Sequence, residues 1–308
     1  MKQAIVTGAN GFIGSEVVKE LINNNISVIA LHRPNSFDKI PKSDLVQLVE
    51  LDINNILKLK DIIKEHKPDV FYHFAWEGVT EPGRSNAEVQ LRNIQNTVNC
   101  VKVAKELGCK RFICSGSIME RETIASTYAQ ESRPGMGYIY GAGKFAAHSI
   151  SKSIAANIGI EHVWGVVTNT YGVGELSSRF INTTLRKIIK NEPLKFTAAT
   201  QNYDFIYITD VAKAFYLIGE KGLPFCEYII GSGDAKPLRK FIEELQEELC
   251  PNEDLYFGDI PFTGENIPLS SFDTSELIKD TGFIPNISFS EGVRKTMDWL
   301  KSIDDNKL

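Results

Sequence analysis

The sequence predicts an α/β fold, a doubly wound parallel sheet with helices on both faces and a smaller, interleaved α/β domain. Three observations predict it. Apolar, β-branched runs alternate with longer segments of helical periodicity over residues 3–168. Those runs are continuously apolar, as strands buried on both faces are. Parallel neighbours also need a crossover, which a helix usually supplies.

In chain order, strands are expected at Gln3–Val6, Ser27–Leu31, Leu45–Leu51, Val70–Phe74, Arg111–Ser115 and His162–Thr168. Helices are expected between them at Ile13–Asn23, Ile56–Glu65, Asn86–Leu107 and Tyr138–Ile158. After Thr168 the pattern is less regular. A helix at Ser177–Lys190 precedes short strands at Leu194–Phe196 and Asp204–Ile208. Helices follow at Thr209–Gly219, Pro237–Leu249, Ser275–Asp280 and Ser290–Ser302, separated by Pro/Gly punctuation such as Gly222-Leu223-Pro224. The last residues, Asp304–Leu308, read as a frayed, solvated tail.

Composition narrows the function. With 34 basic and 39 acidic side chains the net charge is −5, which argues against a nucleic-acid-binding surface. Hydrophobic residues at 43% and charged residues at 24% argue against disorder and allow a core without staples. The odd set Cys100, Cys109, Cys114, Cys226 and Cys250 has no CxxC pair and reads as free thiols in a reducing compartment. MKQAIVTG lacks the apolar stretch of a signal peptide, and no uncharged run is long enough to cross a bilayer. A cytoplasmic protein without membrane partners is expected.

The strongest local signal is Thr7-Gly8-Ala9-Asn10-Gly11-Phe12-Ile13-Gly14, between the first strand and the first helix. Its glycines serve a tight turn, close backbone approach to a phosphate, and close helix–strand packing. The helix start then offers free N–H groups and a positive dipole end to a pyrophosphate. A turn that merely needs positive φ is the competing reading, but the place in the fold favours dinucleotide binding by Gly8, Asn10, Gly11, Phe12, Ile13 and Gly14. Residues 1–168, with about 203–231, are therefore read as a Rossmann domain, and 169–202 with 232–308 as a substrate-binding domain. The second strand ends Ala30-Leu31-His32-Arg33, with no carboxylate for a ribose 2′-hydroxyl. Arg33, beside His32, suits a 2′-phosphate, so NADP(H) is favoured over NAD(H). An ordinary surface arginine is the alternative.

Tyr140-Gly141-Ala142-Gly143-Lys144 puts a phenol and an ammonium one helical turn apart on one face. The ammonium, joined by a nicotinamide cation, favours phenolate and makes the phenol a usable general acid/base. Ser117, where the fifth strand runs out, lies where such sheets bind ligands, and its hydroxyl suits a substrate oxygen. Singly, such residues are more often a surface pair and a helix cap. Their order changes that reading.

At this point the chain resembles the extended short-chain dehydrogenase/reductase family of nucleotide-sugar epimerases, dehydratases and reductases. The resemblance covers nearly the whole chain. It rests on TGANGFIG at Thr7–Gly14, Leu51-Asp52-Ile53, Lys67–Ala75, Asn93–Asn99, Ser115-Gly116-Ser117, YGAGK, Asn169-Thr170-Tyr171-Gly172 and Asp204–Asp210. It implies Tyr140 as acid/base, Lys144 as its partner and a ligand of the nicotinamide ribose, and Ser117 as the group polarising the reacting oxygen. Asp52 and Ile53 would approach the adenine, and Phe74, Ala75 and Trp76 would line the cofactor cleft. Asn169 matches the family's asparagine that contacts the sugar nucleotide's phosphates.

There are departures. Family dehydratases carry an Asp-Glu pair where this chain has Ile118 and Met119, which disfavours dehydration. Tyr203 and Val166 replace family arginines, and Arg179 either substitutes for them as a substrate ligand or is a solvated surface residue. Trp76 either stacks on a sugar or nicotinamide or packs under a loop, and Glu77 is a candidate second acid/base. His73 reads as a hydrogen-bonded core residue, and no cluster has metal-ligand spacing.

The expected function is NADP(H)-dependent reduction of a nucleotide-linked 4-keto-deoxysugar, with the proton from Tyr140 and the oxygen held by Ser117. A UDP-sugar 4-epimerase using NAD is the alternative. A catalytically silent NADP sensor has no need of an intact Ser117-Tyr140-Lys144 set. By resemblance, Asn86–Leu107 and Tyr138–Ile158 would pair across a two-fold as the four-helix bundle of a homodimer. Val89, Val98, Val101, Phe145 and Ile150 would serve either that interface or the chain's own core.

Overall fold

The computed structural model describes residues 1–64 and 66–303. The helix end expected at Glu65 and the tail expected at Asp304–Leu308 lie outside the described residues. The first half runs β1 (Gln3–Thr7), α1 (Phe12–Asn23), β2 (Ser27–His32), β3 (Val46–Glu50), α2 (Leu59–Ile62), β4 (Val70–His73), α3 (Ala87–Glu106), β5 (Arg111–Ser117), α4 (Met119–Tyr128), α5 (Tyr138–Ile158) and β6 (Glu161–Val167). The second half runs β7 (Asn169–Tyr171), α6 (Phe180–Ile189), β8 (Leu194–Phe196), β9 (Asn202–Tyr203), β10 (Phe205–Tyr207), α7 (Ile208–Lys221), β11 (Glu227–Ile230), β12 (Lys236–Pro237), α8 (Leu238–Leu249), β13 (Leu255–Phe257), α9 (Ser275–Thr281) and α10 (Phe289–Ser302).

Seven strands form one sheet in the order β11-β6-β5-β4-β1-β2-β3. Every pair in it is parallel, with β1 seated between β2 (Ile5 opposite Ile29) and β4 (Ile5 opposite Phe71). This is the doubly wound Rossmann arrangement. The strand order reverses direction between β1 and β4, and sheets of this kind bind ligands beyond the carboxyl ends of the strands at that point.

The strands are apolar throughout because both faces are covered. On one face Val17, Val18 and Leu21 of α1 and Val211, Phe215 and Ile218 of α7 pack on Val6, Val28 and Tyr72. On the other, Cys100, Val101 and Ala104 of α3 and Ala147 and Ala155 of α5 pack on Ile5, Phe71 and Phe112. A third core joins Tyr171, Phe205, Phe241, Phe289 and Val293 from the short strands and late helices. Truncating any of the wholly buried aromatics, such as Phe241 or Phe112, to alanine would cost about 3–5 kcal/mol.

Two expectations are corrected. The helix expected at Ile56–Glu65 begins earlier, because the Asp52 carboxylate accepts from the Asn54 amide at 2.8 Å and starts a 3-10 turn over Ile53–Lys58. Asn55, at φ −108° and ψ 17°, then kinks it before the short α2. Helix α4 and strands β7, β9, β11, β12 and β13 were not anticipated: Met119–Tyr128 lacks an apolar stripe, and these strands run only two to four residues each.

Candidate active site

The glycine turn is built by sterics. Gly8 has φ +67°, and a Cβ there would lie 2.7 Å from the Ala75 amide nitrogen at the end of β4. A Cβ on Gly14 would lie 2.1 Å from the Gly8 carbonyl oxygen, so α1 rests directly on the turn. Gly11 is exposed at the N-cap of α1, which has neither a side-chain cap nor an acidic residue in its first turn. The first N–H groups and the positive dipole end are thus left to an anion. Phe12 and Ile13 turn inward onto the third core.

The Asn10 side chain is held by the loop after β2. Its Nδ2 donates to Ser36 Oγ at 3.1 Å and Asp38 Oδ1 at 3.0 Å, and its Oδ1 accepts from the Lys39 amide at 2.7 Å. It ties the loop after β2 to the turn. In that loop His32 is buried, bonded through Nδ1 to the Arg33 carbonyl at 2.9 Å and packed on Phe37, while the Arg33 side chain is exposed. Asp52 is occupied as the cap of the following turn, beside half-buried Ile53. Phe74 packs edge-on against Phe215 at 4.8 Å, and the Ala75 amide donates to Thr7 Oγ1 at 3.3 Å.

Tyr140 and Lys144 lie in the first turns of α5, 7% and 4% exposed. The Lys144 ammonium donates to the Ser115 carbonyl at 2.7 Å and lies 6.0 Å from the Tyr140 ring centre. Trp76 packs against the pair from the loop after β4. Its ring faces the Lys144 ammonium, stands edge-on to Tyr140 at 6.2 Å, and is anchored by a 2.8 Å bond from Nε1 to Gln90 Oε1. Ser117 ends β5, its Oγ accepting from the Met119 amide at 3.3 Å, which leaves the hydroxyl proton to donate elsewhere.

A cavity of about 230 Å³ opens beside this cluster, and its lining includes Ser117, Tyr140, Asn169, Arg179, Arg84 and Glu122. Four of these were expected from the sequence; Trp76 is not part of the lining. Asn169 Nδ2 donates to the Asp204 carbonyl at 3.1 Å, which fixes its orientation. Arg179 caps α6 with its guanidinium 3.9 Å from Glu175 and half in solvent. In the same lining, Thr170 Oγ1 and Asn182 Oδ1 are buried without a hydrogen-bond partner among the described residues. Buried polar atoms seldom go unpaired, so such a wall suits a polar ligand.

Sequence reasoning missed Arg84, Glu122, Thr170 and Asn182. Arg84 comes from the loop after β4 and stacks over the Tyr140 ring at 4.9 Å. Glu122 comes from the unanticipated α4, and burial pushes its carboxyl up to about 7 against the opposing pull of Arg84. Recognising α4 would have found it, one turn beyond Ile118 and Met119. Glu77, the candidate second acid/base, is exposed and 3.9 Å from Arg92. His73 is a core residue between Thr7 Oγ1 at 2.8 Å and Thr97 Oγ1 at 3.1 Å, and burial lowers it to about 3. Among the described residues no group of His, Cys, Asp and Glu has the arrangement of a metal site, and no helix is long and apolar enough to cross a membrane.

The chain is similar to known proteins over nearly its whole length. CDP-abequose synthase of Salmonella muenchen is 24% identical, with 96% of this chain and 97% of the relative covered. dTDP-glucose 4,6-dehydratase of Haemophilus influenzae is also 24% identical, with 97% and 98% covered. In fold, the chain is similar to the Bordetella bronchiseptica enzyme WbmF solved with NAD+ (TM-score 0.78, 22% identity, 98% and 93% covered). It is likewise similar to a UDP-N-acetylglucosamine 4-epimerase of Methanobrevibacter ruminantium (TM-score 0.79, 21% identity, 98% of each chain covered). Residues 4–231 match the model of the NAD dependent epimerase/dehydratase family, and with that sheet, turn and cavity the chain belongs to this family of nucleotide-sugar-modifying enzymes.

Proposed function

We propose that this protein is an NADP(H)-dependent reductase of a nucleotide-linked 4-keto-deoxysugar. The observation that carries the reading is the cavity wall. Ser117 and Tyr140 line it with two hydroxyls suited to a ketone oxygen, while Ile118 and Met119, which move no proton, line it as well. The residues fit a nicotinamide dinucleotide: Gly8 and Gly14 leave no room for a Cβ, and α1 starts uncapped beside them. When bound, that cofactor supplies the hydride.

The chain's own residues do the rest. Ser117 Oγ donates to the ketone oxygen, and the Tyr140 phenol delivers a proton to it as the carbonyl carbon becomes a carbinol. Lys144 stabilises the phenolate left behind, and solvent reprotonates it. Removing one such oxygen-binding donor typically costs about 10²–10³ in rate. Asn169, Arg179 and the Thr170 hydroxyl bind the nucleotide's phosphates, and the Asn182 amide oxygen accepts from a hydroxyl of the ligand. Segments 169–202 and 232–308 are read as the substrate side. Arg33 meets a 2′-phosphate. Two copies pair through α3 and α5, and the free cysteines fit a reducing compartment such as the cytoplasm.

The test is a panel of nucleotide-linked 4-keto sugars with NADPH, followed by loss of nicotinamide absorbance. Turnover that Tyr140→Phe lowers at least about a hundredfold supports the reading. Purification with tightly retained NAD+ and C4 inversion without net reduction would make the protein an epimerase instead.

A further inference from the structure

Helix α4 lies unusually close to α5. A Cβ on Gly141 would meet Thr123 Oγ1 at 2.1 Å and the Met119 carbonyl at 2.5 Å, so only glycine lets the two helices touch there. That contact turns Met119 and Glu122, one turn apart, to the cavity that Tyr140 and Ser117 also line. Its charged and titratable surroundings are Arg84 from the loop after β4, Tyr138 on α5, Tyr203 on β9 and Glu265 from the segment before α9. The segment carrying Glu265 is held over this end by a 3.0 Å bond from its amide to the Tyr138 hydroxyl. Among the described residues no hydrogen bond or ion pair ties up the Glu122 carboxylate, and Glu122 lines the cavity with Ser117 and Tyr140.

We propose that Glu122 is a second proton-transfer group, whose carboxylate removes and returns a proton at the ring carbon next to the sugar's keto carbon. The enzyme then has an enolising activity besides hydride transfer. The C–H bond breaks and its proton passes to a Glu122 oxygen. The electron pair forms the C=C bond and displaces charge onto the carbonyl oxygen, which Ser117 and Tyr140 hydrogen-bond. Return of the proton restores the ketone, so no oxidant or reductant is consumed. A carboxyl raised to about 7 is a stronger base than an ordinary one and is still largely ionised just above neutrality. The inference rests on the ketone reading above.

The experiment incubates the full-length protein with a nucleotide-linked 4-keto sugar in deuterated buffer, in two arms. With no nicotinamide added, deuterium at the adjacent carbon reports enolisation; with NADPH, absorbance loss reports reduction. The wild type is expected to exchange faster than a heat-inactivated control, with a rate that rises as pH passes about 7. Glu122→Gln should lose about a hundredfold in exchange, more than it loses in reduction. Wild-type reduction with no exchange above the control overturns the proposal and leaves the reductase reading standing, as does a Glu122→Gln variant that exchanges at the wild-type rate. Exchange without any use of NADPH overturns the reductase reading alone and supports the role of Glu122.

Discussion

The Lys144 ammonium sits 3.7 Å from the centre of the Trp76 ring while it donates to the Ser115 carbonyl. One cation is thus held from two sides, by an aromatic face and by a strand-end oxygen, and the same indole touches the edge of Tyr140. Trp76 therefore orients both members of the proposed acid/base pair. A cation–π contact of this kind is worth about 0.5–2 kcal/mol. Trp76→Leu should lower kcat about tenfold, and Trp76→Phe, which keeps an aromatic face, should lose less. Steady-state kinetics of the two variants checks this, and equal losses in both would sink it.

The glycines of the turn should separate by mechanism. Gly14→Ala forces a methyl against the Gly8 carbonyl, an overpacking that typically costs about 1–3 kcal/mol. Thermal unfolding should show a lower Tm. Gly11→Ala meets that oxygen only at 3.1 Å and faces solvent, so Tm should hardly move while dinucleotide affinity falls. Calorimetry with NADPH reads the second effect; a Gly11→Ala protein with full affinity would remove the pyrophosphate from this turn.

Stability should depend on His162. Burial lowers it, like His73, to about 3 from an ordinary 6.5. Between those values the unfolded chain binds a proton that the folded chain refuses, so this stability is complete above about 6.5 and is lost as pH falls. Glu122, raised by burial, acts in the opposite sense as pH rises from about 4.5 to 7. His162→Gln isolates one histidine: the loss of unfolding free energy from pH 7 to pH 5 should shrink by about 2 kcal/mol. Urea titrations at both pH values measure it, and an unchanged loss would refute it.

Of the apolar residues weighed for a dimer face, Val89, Val98 and Val101 are buried within the chain, while Phe145 is 45% and Ile150 42% exposed. Leu91 on α3, 63% exposed, adds to that surface. A second copy seated there would be disrupted by a charge, so Phe145→Asp should turn a dimer into a monomer. Analytical ultracentrifugation decides the matter, and a wild type that sediments as a monomer would dismiss the pairing.

Six of the sheet's seven strands were legible because buried parallel strands are continuously apolar, as Val70–His73 and Arg111–Cys114 are. The limits of α5 were legible too, at Tyr138 and at Gly159, which closes the helix with φ +72°. Helix α4 was not, because MERETIASTY carries charges and hydroxyls where a stripe would be and is held by packing on α5. The cavity suffered for it: Ser117, Tyr140, Asn169 and Arg179 came from motifs, whereas Glu122 depends on an element that the pattern hides. Trp76 was visible as a residue of the cleft, but its hold on Lys144 is a tertiary contact that no spacing reveals.

Asn10 carries one more implication. Its amide clamps Ser36, Asp38 and Lys39 to the glycine turn, so the segment bearing Arg33 hangs from the same support that is proposed to seat the pyrophosphate. Retargeting the enzyme from one dinucleotide to the other therefore takes more than exchanging an arginine for an acid. The new side chain will arrive at the ribose only if that clamp survives the redesign.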